Sequence, residues 1–486
     1  MSYLSLNFAA CTALLLIIYY LLPKKIRWIL LLIGSLVFYG CFSLNYVPFL
    51  LFTALTTFFG AQLLAKRKSK WVLTGCIGLN IAVWFAIKEV PWVLSTISRC
   101  LDILGISFTP PQSGFLVPVG ISYFTLQGVG YLLDVYKEKT ASEVCFGKYL
   151  LFLSWFPAIV QGPISRYSML MPSLLNKKPF TFESVRDSML LILIGLVKKM
   201  VIADRLGIFV NACFRNYLEL RGVILYIAAV GYAFQLYTDF SGCVDICRGV
   251  SGLFGVNLVH NFNRPYLSRS IKEFWGKWHM SLSGWLKDYV YIPLGGNRRG
   301  VLRKHYNLMI TFLISGLWHG AGFHFLLWGA LHAIYQIIGQ HTLPLRSWVK
   351  HKIGIEEGSL SERIYQTLIT FNLVTFAWIF FRSKGLASGL RYVCYMISQA
   401  DMHKLFDGTL YTFGVNQNYF GLLIVNICIL LIAELTTNKQ EDVIVGITKQ
   451  HFLIRWTVYL MMIFEVLLFG VYGSGYDMSS FMYGGF

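Results

Sequence analysis

Apolar residues fall along this chain in blocks of roughly fifteen to twenty, each long enough to be read as a helix within a hydrocarbon layer. The first four blocks are residues 1–22, 28–42, 46–65 and 71–87. They are separated by KKIR at 24–27, Ser-Leu-Asn at 43–45 and KRKSK at 66–70. The first block carries no basic residue before Lys24, so it lacks the positive n-region of a signal peptide and reads as a retained span. Basic and uncharged connections alternate, which by the positive-inside rule puts Lys24 and Lys66 in the cytoplasm and the N-terminus outside. Further spans are expected at 189–203, 223–237, 306–337, 365–381, 419–435 and 457–471. The charged block at 343–363 is expected outside the lipid. The fold class is all-α, a polytopic membrane bundle of about ten to twelve segments. Without a fixed repeat or an internal boundary, it is expected to form one domain over residues 1–486.

Two stretches break this pattern. Residues 110–136 are rich in Pro and Gly, and residues 155–172 carry Pro157, Gly162 and Pro163 inside another apolar run. Irregular backbone at membrane depth persists only where protein or a water-filled cavity covers it, so a cavity is expected near them.

Composition supports the membrane assignment. Of 486 residues, 56% are hydrophobic and 13% charged, too little polar surface for a water-soluble globule of several domains. The net charge of +19 lies in short clusters between apolar blocks rather than along one helix face, which fits topogenic loops and anionic headgroups and not nucleic acid. Ten scattered cysteines, with no CxxC pair, predict neither a disulfide framework nor a metal site.

Candidate chemistry concentrates between Arg264 and Gly322, where His279 and His319 each follow a tryptophan. At about 100° per residue, Trp275, His279, Leu282, Leu286 and Tyr289 share one face of a helix, with Glu273, Lys277, Ser281 and Asp288 opposite. That pattern predicts a helix lying in the interface with an aromatic face toward lipid or protein. His279 reads on its own as an interfacial residue bonded to a headgroup or carbonyl. His319 is different: it lies ~20 Å along a helix starting near Tyr306, inside a core ~30 Å thick. An imidazole there requires a partner or a wet cavity, and Gly320 and Gly322 allow the helix to break beside it. His324 and His332, at +5 and +13, do not form a metal-ligand pair with it. In AFQLYTDFSGCVDICRG, Asp239 and Arg248 are expected to neutralise each other. No GxSxG elbow, Walker loop, GxGxxG or HExxH is present, which removes the usual supports for serine hydrolase, ATPase and zinc protease chemistry.

The combination of EFWGKWHMSLSGWLKDYVYIPLGGNRRG, GLWHGAGFHFLLWGALHA and QLYTDFSGCVDICRGVSGLFGVNLVHNFNRPY resembles the membrane-bound O-acyltransferase (MBOAT) family. The likeness is greatest to the bacterial branch that contains the alginate O-acetylation membrane protein. The resemblance implies a helical bundle around a funnel and tunnel. By matching motif it makes His319 the catalytic histidine and His279 the assisting one. It also implies an acyl, most simply acetyl, group moving from a cytoplasmic thioester across the bilayer to an extracellular polysaccharide. The donor would be acetyl-coenzyme A, or an acyl carrier protein, with no permanently bound cofactor and no metal. Arg298, Arg299, Lys198 and Lys199, with Arg303 and Lys304, are candidates to attract an anionic donor, against the simpler reading of topogenic charge. The implied setting is the cytoplasmic membrane, multi-pass, with an extracytoplasmic acetyltransferase or acceptor protein as partner. D-alanyl transfer for teichoic acids is the alternative within the family. A transporter is the alternative outside it, although the paired halves expected of one are not seen.

Overall fold

The computed structural model of the chain describes residues 2–110, 117–175, 179–399, 401–437 and 440–472. Among these, every regular element is a helix, as expected of an all-α membrane protein. Among the described residues six helices are long and apolar enough to cross a membrane: Leu44–Lys66, Lys70–Lys88, Val223–Leu253, Leu360–Arg382, Gln417–Thr436 and Phe452–Phe469. Leu6–Leu21 and Arg27–Gly40 are shorter apolar helices.

Several expected spans are divided differently. The block at 306–337 is two antiparallel helices, Val301–His319 and Phe323–His341. The block at 189–203 is the end of Phe182–Leu196 followed by a π-helical turn, Val197–Ala203. Hydropathy measures how apolar a run is, and it does not register a reversal made inside that run by two glycines. The expected span at 223–237 extends to Leu253 as one helix. Residues 343–352 form an exposed helix within the charged block.

Among the described residues the chain forms two compact units: residues up to 192 with 244–259, and residues 193–243 with those from 260 to 472. In the first, Ile121–Tyr136 is buried along nearly its whole length and packs on Val47–Lys66 and Lys70–Lys88. Hydrocarbon supplies little driving force for helices to associate, so close approach at small residues and internal hydrogen bonds carry the packing. A methyl at Gly128 would stand 3.0 Å from Thr57 Cγ2, and the Thr57 hydroxyl bonds Tyr149 Oη at 2.6 Å.

The irregular stretch 110–136 becomes regular after Gly120; Pro111 to Leu116 lie outside the described residues. Gly120, at φ +77°, has backbone from the second irregular stretch against it: a Cβ there would fall 2.2 Å from the Ile159 carbonyl oxygen. The two irregular stretches therefore touch at this point. Trp155, 1% exposed, donates from Nε1 to Ser251 Oγ at 3.1 Å and anchors the second stretch.

The second unit holds the helical hairpin Val301–His319 and Phe323–His341, against which Leu360–Arg382 packs. A Cβ at Gly316 would lie 2.4 Å from the Phe325 carbonyl oxygen, and one at Gly329 would lie 2.3 Å from that of Phe312. The two backbones meet closely because neither glycine has a side chain. Lys199, 1% exposed, pairs with Asp204 at 2.7 Å and with Asp239 at 2.6 Å.

Candidate active site

Both histidines lie at breaks in helices. Ser270 caps the helix Ile271–Lys277 through a bond from Glu273 N at 3.1 Å, and Glu273 Oε2 accepts from Arg269 N at 2.8 Å. Burial alone would raise the Glu273 carboxyl, but Lys277 and Arg269 hold it below the ordinary carboxylate value. The helix stops at Trp278, and His279 takes the left-handed conformation at φ +43°, ψ +52° before Met280–Leu286 begins.

A neighbouring non-helical segment splints the break. Asn263 N donates to Lys277 O at 3.0 Å, and Met280 N donates to Asn261 O at 2.9 Å. Ser281 N donates to Asn261 Oδ1 at 3.0 Å. The single amphipathic helix expected through His279 is therefore two short helices set at an angle by one left-handed residue. The expected apolar face is correct in composition, since Trp275, His279, Leu282, Leu286 and Tyr289 are all buried. Its partner is protein, with His279 wholly inaccessible, and the interfacial reading of this histidine does not hold.

His319 is the last residue of Val301–His319. The helix is set at its other end by the Gly-Gly-Asn turn: Gly295 and Gly296 take φ +113° and +56°, and the buried Asn307 donates to Gly296 O at 2.9 Å. Gly322, at φ +146°, completes the reversal into Phe323–His341.

The two imidazoles come together with ring centroids 6.5 Å apart. At that separation both rings can lie beside one bound substrate. The surroundings are aromatic. Phe240 lies 4.9 Å from His279, and Trp318, Trp328 and Phe381 lie 4.8, 5.0 and 5.2 Å from His319. Such a site excludes water and strengthens whatever electrostatic interaction forms inside it. His332 sits one shell further out, fully buried and 5.2 Å from Trp328; neither ring nitrogen has a hydrogen-bond partner among the described residues. No group of three potential metal ligands occurs among the described residues.

The cationic candidates separate. Arg298 and Arg299 are exposed on the turn before Val301–His319. His319 lies about 27 Å along that helix, so a donor held at the turn reaches it only with an extended arm. Arg303 stacks over the Tyr306 ring at 5.1 Å, and Lys304 bonds Gln340 Oε1 at 2.6 Å. Lys198 and Lys199 are buried, and the Lys199 ammonium already faces two carboxylates. Asp239, expected to pair with Arg248, has Lys199 as an ion-pair partner.

Asn261 and the ring of Phe240, Trp328 and Phe381 are site components that sequence reading did not single out. Phe240, Asn261 and Trp328 lie inside the stretches that carry the family resemblance, but nothing in their residue types sets them apart from the other polar and aromatic positions there, and Phe381 lies outside those stretches.

The sequence profile of the membrane-bound O-acyltransferase family matches residues 38–352, which include both histidines. The probable alginate O-acetylase AlgI of Pseudomonas aeruginosa is 31% identical over 424 residues, covering 83% of this chain and 78% of that protein. The peptidoglycan O-acetyltransferase of Helicobacter pylori is 33% identical over 402 residues, covering 76% and 73%. The teichoic acid D-alanyltransferase of Bacillus subtilis is 29% identical over 289 residues, covering 56% and 71%.

Proposed function

Because the chain belongs to the membrane-bound O-acyltransferase family and is an O-acyltransferase, we propose that it passes an acetyl group from a cytoplasmic thioester to an acceptor hydroxyl serving O-acetylation of a cell-envelope polysaccharide. The observation that carries this reading is the convergence of His279 and His319 in a buried aromatic site. Transfer from a thioester to a hydroxyl requires a base for the hydroxyl proton and a donor for the developing oxyanion. His319 takes the proton as the hydroxyl oxygen attacks the thioester carbonyl; His279 polarises that carbonyl or orients the acceptor. Collapse of the tetrahedral intermediate expels the thiolate, which receives the proton from His319. Arg298 and Arg299 are the exposed charges best placed to attract an anionic donor such as acetyl-coenzyme A. Lys199 serves that role only through rearrangement of its buried ion pairs, and Lys198 is likewise buried.

The acceptor on the far side is an extracytoplasmic acetyltransferase or acceptor protein that completes transfer to the polymer, and the protein sits in the cytoplasmic membrane. Acetyl rather than D-alanyl transfer is favoured by the longer match to the two O-acetylation relatives. The test is reconstitution in liposomes, with acetyl-coenzyme A on the cytoplasmic face and polymer with or without the extracytoplasmic partner on the other. Acetylation that needs the partner is expected; efficient acetylation of polymer alone overturns the relay. His319→Ala is expected to lower turnover by roughly 10²–10⁴-fold with folded yield unchanged, and near-normal turnover in that variant overturns the base assignment.

A further inference from the structure

The acyl-transfer chemistry leaves one cationic cavity in the first unit unused. It has a volume of about 240 Å³, and Tyr19, Lys24, Lys25, Arg27, Trp28 and Lys148 are among its lining residues. Lys24, Lys25 and Arg27 come from the connection between Leu6–Leu21 and Arg27–Gly40, whereas Lys148 comes from the helix Phe146–Ser154. Topogenic charge accounts for a basic loop, but it does not account for a distant lysine brought to the same recess.

The guanidinium of Arg27 is held in place. Its Nε donates to Leu22 O and its Nη2 to Tyr20 O, each at 3.2 Å, and it lies over the Tyr19 and Tyr20 rings at 4.8 and 5.3 Å. Its Nη1 is shielded from solvent and has no hydrogen-bond partner among the described residues. No carboxylate lines the cavity, and none of the four cations has an ion-pair partner among the described residues. Like charges gathered around one recess repel, and an anion within it relieves that repulsion while giving Arg27 an acceptor.

We propose that this cavity binds the phosphate of an anionic phospholipid headgroup. Size favours a headgroup over a nucleotide, since the cavity is smaller than the ~300–1,000 Å³ typical of sites that enclose drug-sized ligands. The setting favours a lipid. Tyr19, Tyr20 and Trp28 with lysines, at the junction of two apolar helices, have the composition of a membrane interface. Ile17, Leu21, Ile29 and Ile33 expose apolar side chains on those same helices for acyl chains to cover. The lining residues up to Trp28 precede residue 38, where the family match begins, whereas Lys148 lies within it.

The test is native mass spectrometry of the full-length protein in detergent with dioleoyl phosphatidylglycerol or dioleoyl phosphatidylcholine, and with inorganic pyrophosphate as competitor. The variant Lys24→Gln/Lys25→Gln/Lys148→Gln leaves the backbone bonds of Arg27 intact. It is expected to lower phosphatidylglycerol retention roughly tenfold or more, because each basic residue near an anionic surface contributes severalfold. Lys66→Gln/Lys70→Gln, at another basic cluster, is expected to retain lipid as the wild type does. If the triple variant fails to elute as a monodisperse species, Lys24→Gln alone replaces it, with a partial loss expected. Equal retention in wild type and variant overturns the proposal, as does equal retention of phosphatidylcholine. Pyrophosphate binding that depends on these lysines, without any preference for phosphatidylglycerol, assigns the cavity to a soluble phosphate and also overturns it.

Discussion

His279 occupies a left-handed conformation that costs an L residue ~1–2 kcal/mol, and the cost is met by the bonds that Asn261 and Asn263 make across the break. Glycine adopts this conformation freely. His279→Gly is therefore expected to unfold at a higher temperature than His279→Ala, by the equivalent of ~1 kcal/mol, while both lose activity. Thermal unfolding in detergent checks the order, and Ala at or above Gly would show that the position is unstrained. Asn261 bonds the backbone just after His279, has no hydrogen bond to either imidazole among the described residues, and acts as a positioning residue. Asn261→Ala is expected to lower kcat roughly three- to tenfold with KM little changed, and Asn261→Asp, which keeps the accepting oxygen, to restore most of it. A change confined to KM would place Asn261 in substrate binding instead.

At the scale of elements, the hairpin Val301–His319 and Phe323–His341 presents His319 at its tip, and the two glycines at the crossing set how closely the arms approach. Gly316→Ala and Gly329→Ala each drive a methyl against backbone oxygen, which cannot turn aside as a flexible side chain would. Each is expected to destabilise by ~1–3 kcal/mol or more and to displace His319. Gly276→Ala, on the helix before His279, meets nothing within 4 Å and is expected to be neutral or to stabilise by ~0.5–1 kcal/mol. Folded yield and melting temperature of the three variants measure the contrast; equal behaviour would show that the hairpin relaxes without cost.

For the whole molecule, orientation and internal charge matter most. In a cysteine-free background, a cysteine at Ser43 is expected to be labelled from outside and one at Ser69 from the cytoplasm, because basic clusters flank only the second position. The reverse labelling inverts the topology and with it the direction of transfer. Lys199→Met removes the ammonium that Asp204 and Asp239 share. Leaving two buried carboxylates without it is expected to destabilise by about 3–5 kcal/mol, seen as lost folded yield. Asp204→Asn in the same chain, which removes one of the two charges, is expected to recover part of that loss.

The sequence by itself determined the solvent and the helical class, and it marked the two histidines as candidates. Apolar block length and scarce charge admit few alternatives, and an imidazole such as His319 inside an apolar helix already marks a site. It did not determine the break at His279. Helical periodicity counts which residues share a face, and a single left-handed residue preserves that face while turning the chain. Nor did it separate Lys199 from Arg298, since both are basic residues beside apolar runs. Burial against Asp204 and Asp239 in one case and exposure in the other are decided by contacts between residues far apart in sequence. The 6.5 Å meeting of His279 with His319 is likewise tertiary, set by the glycine crossing that fixes one ring and the Asn261 splint that fixes the other.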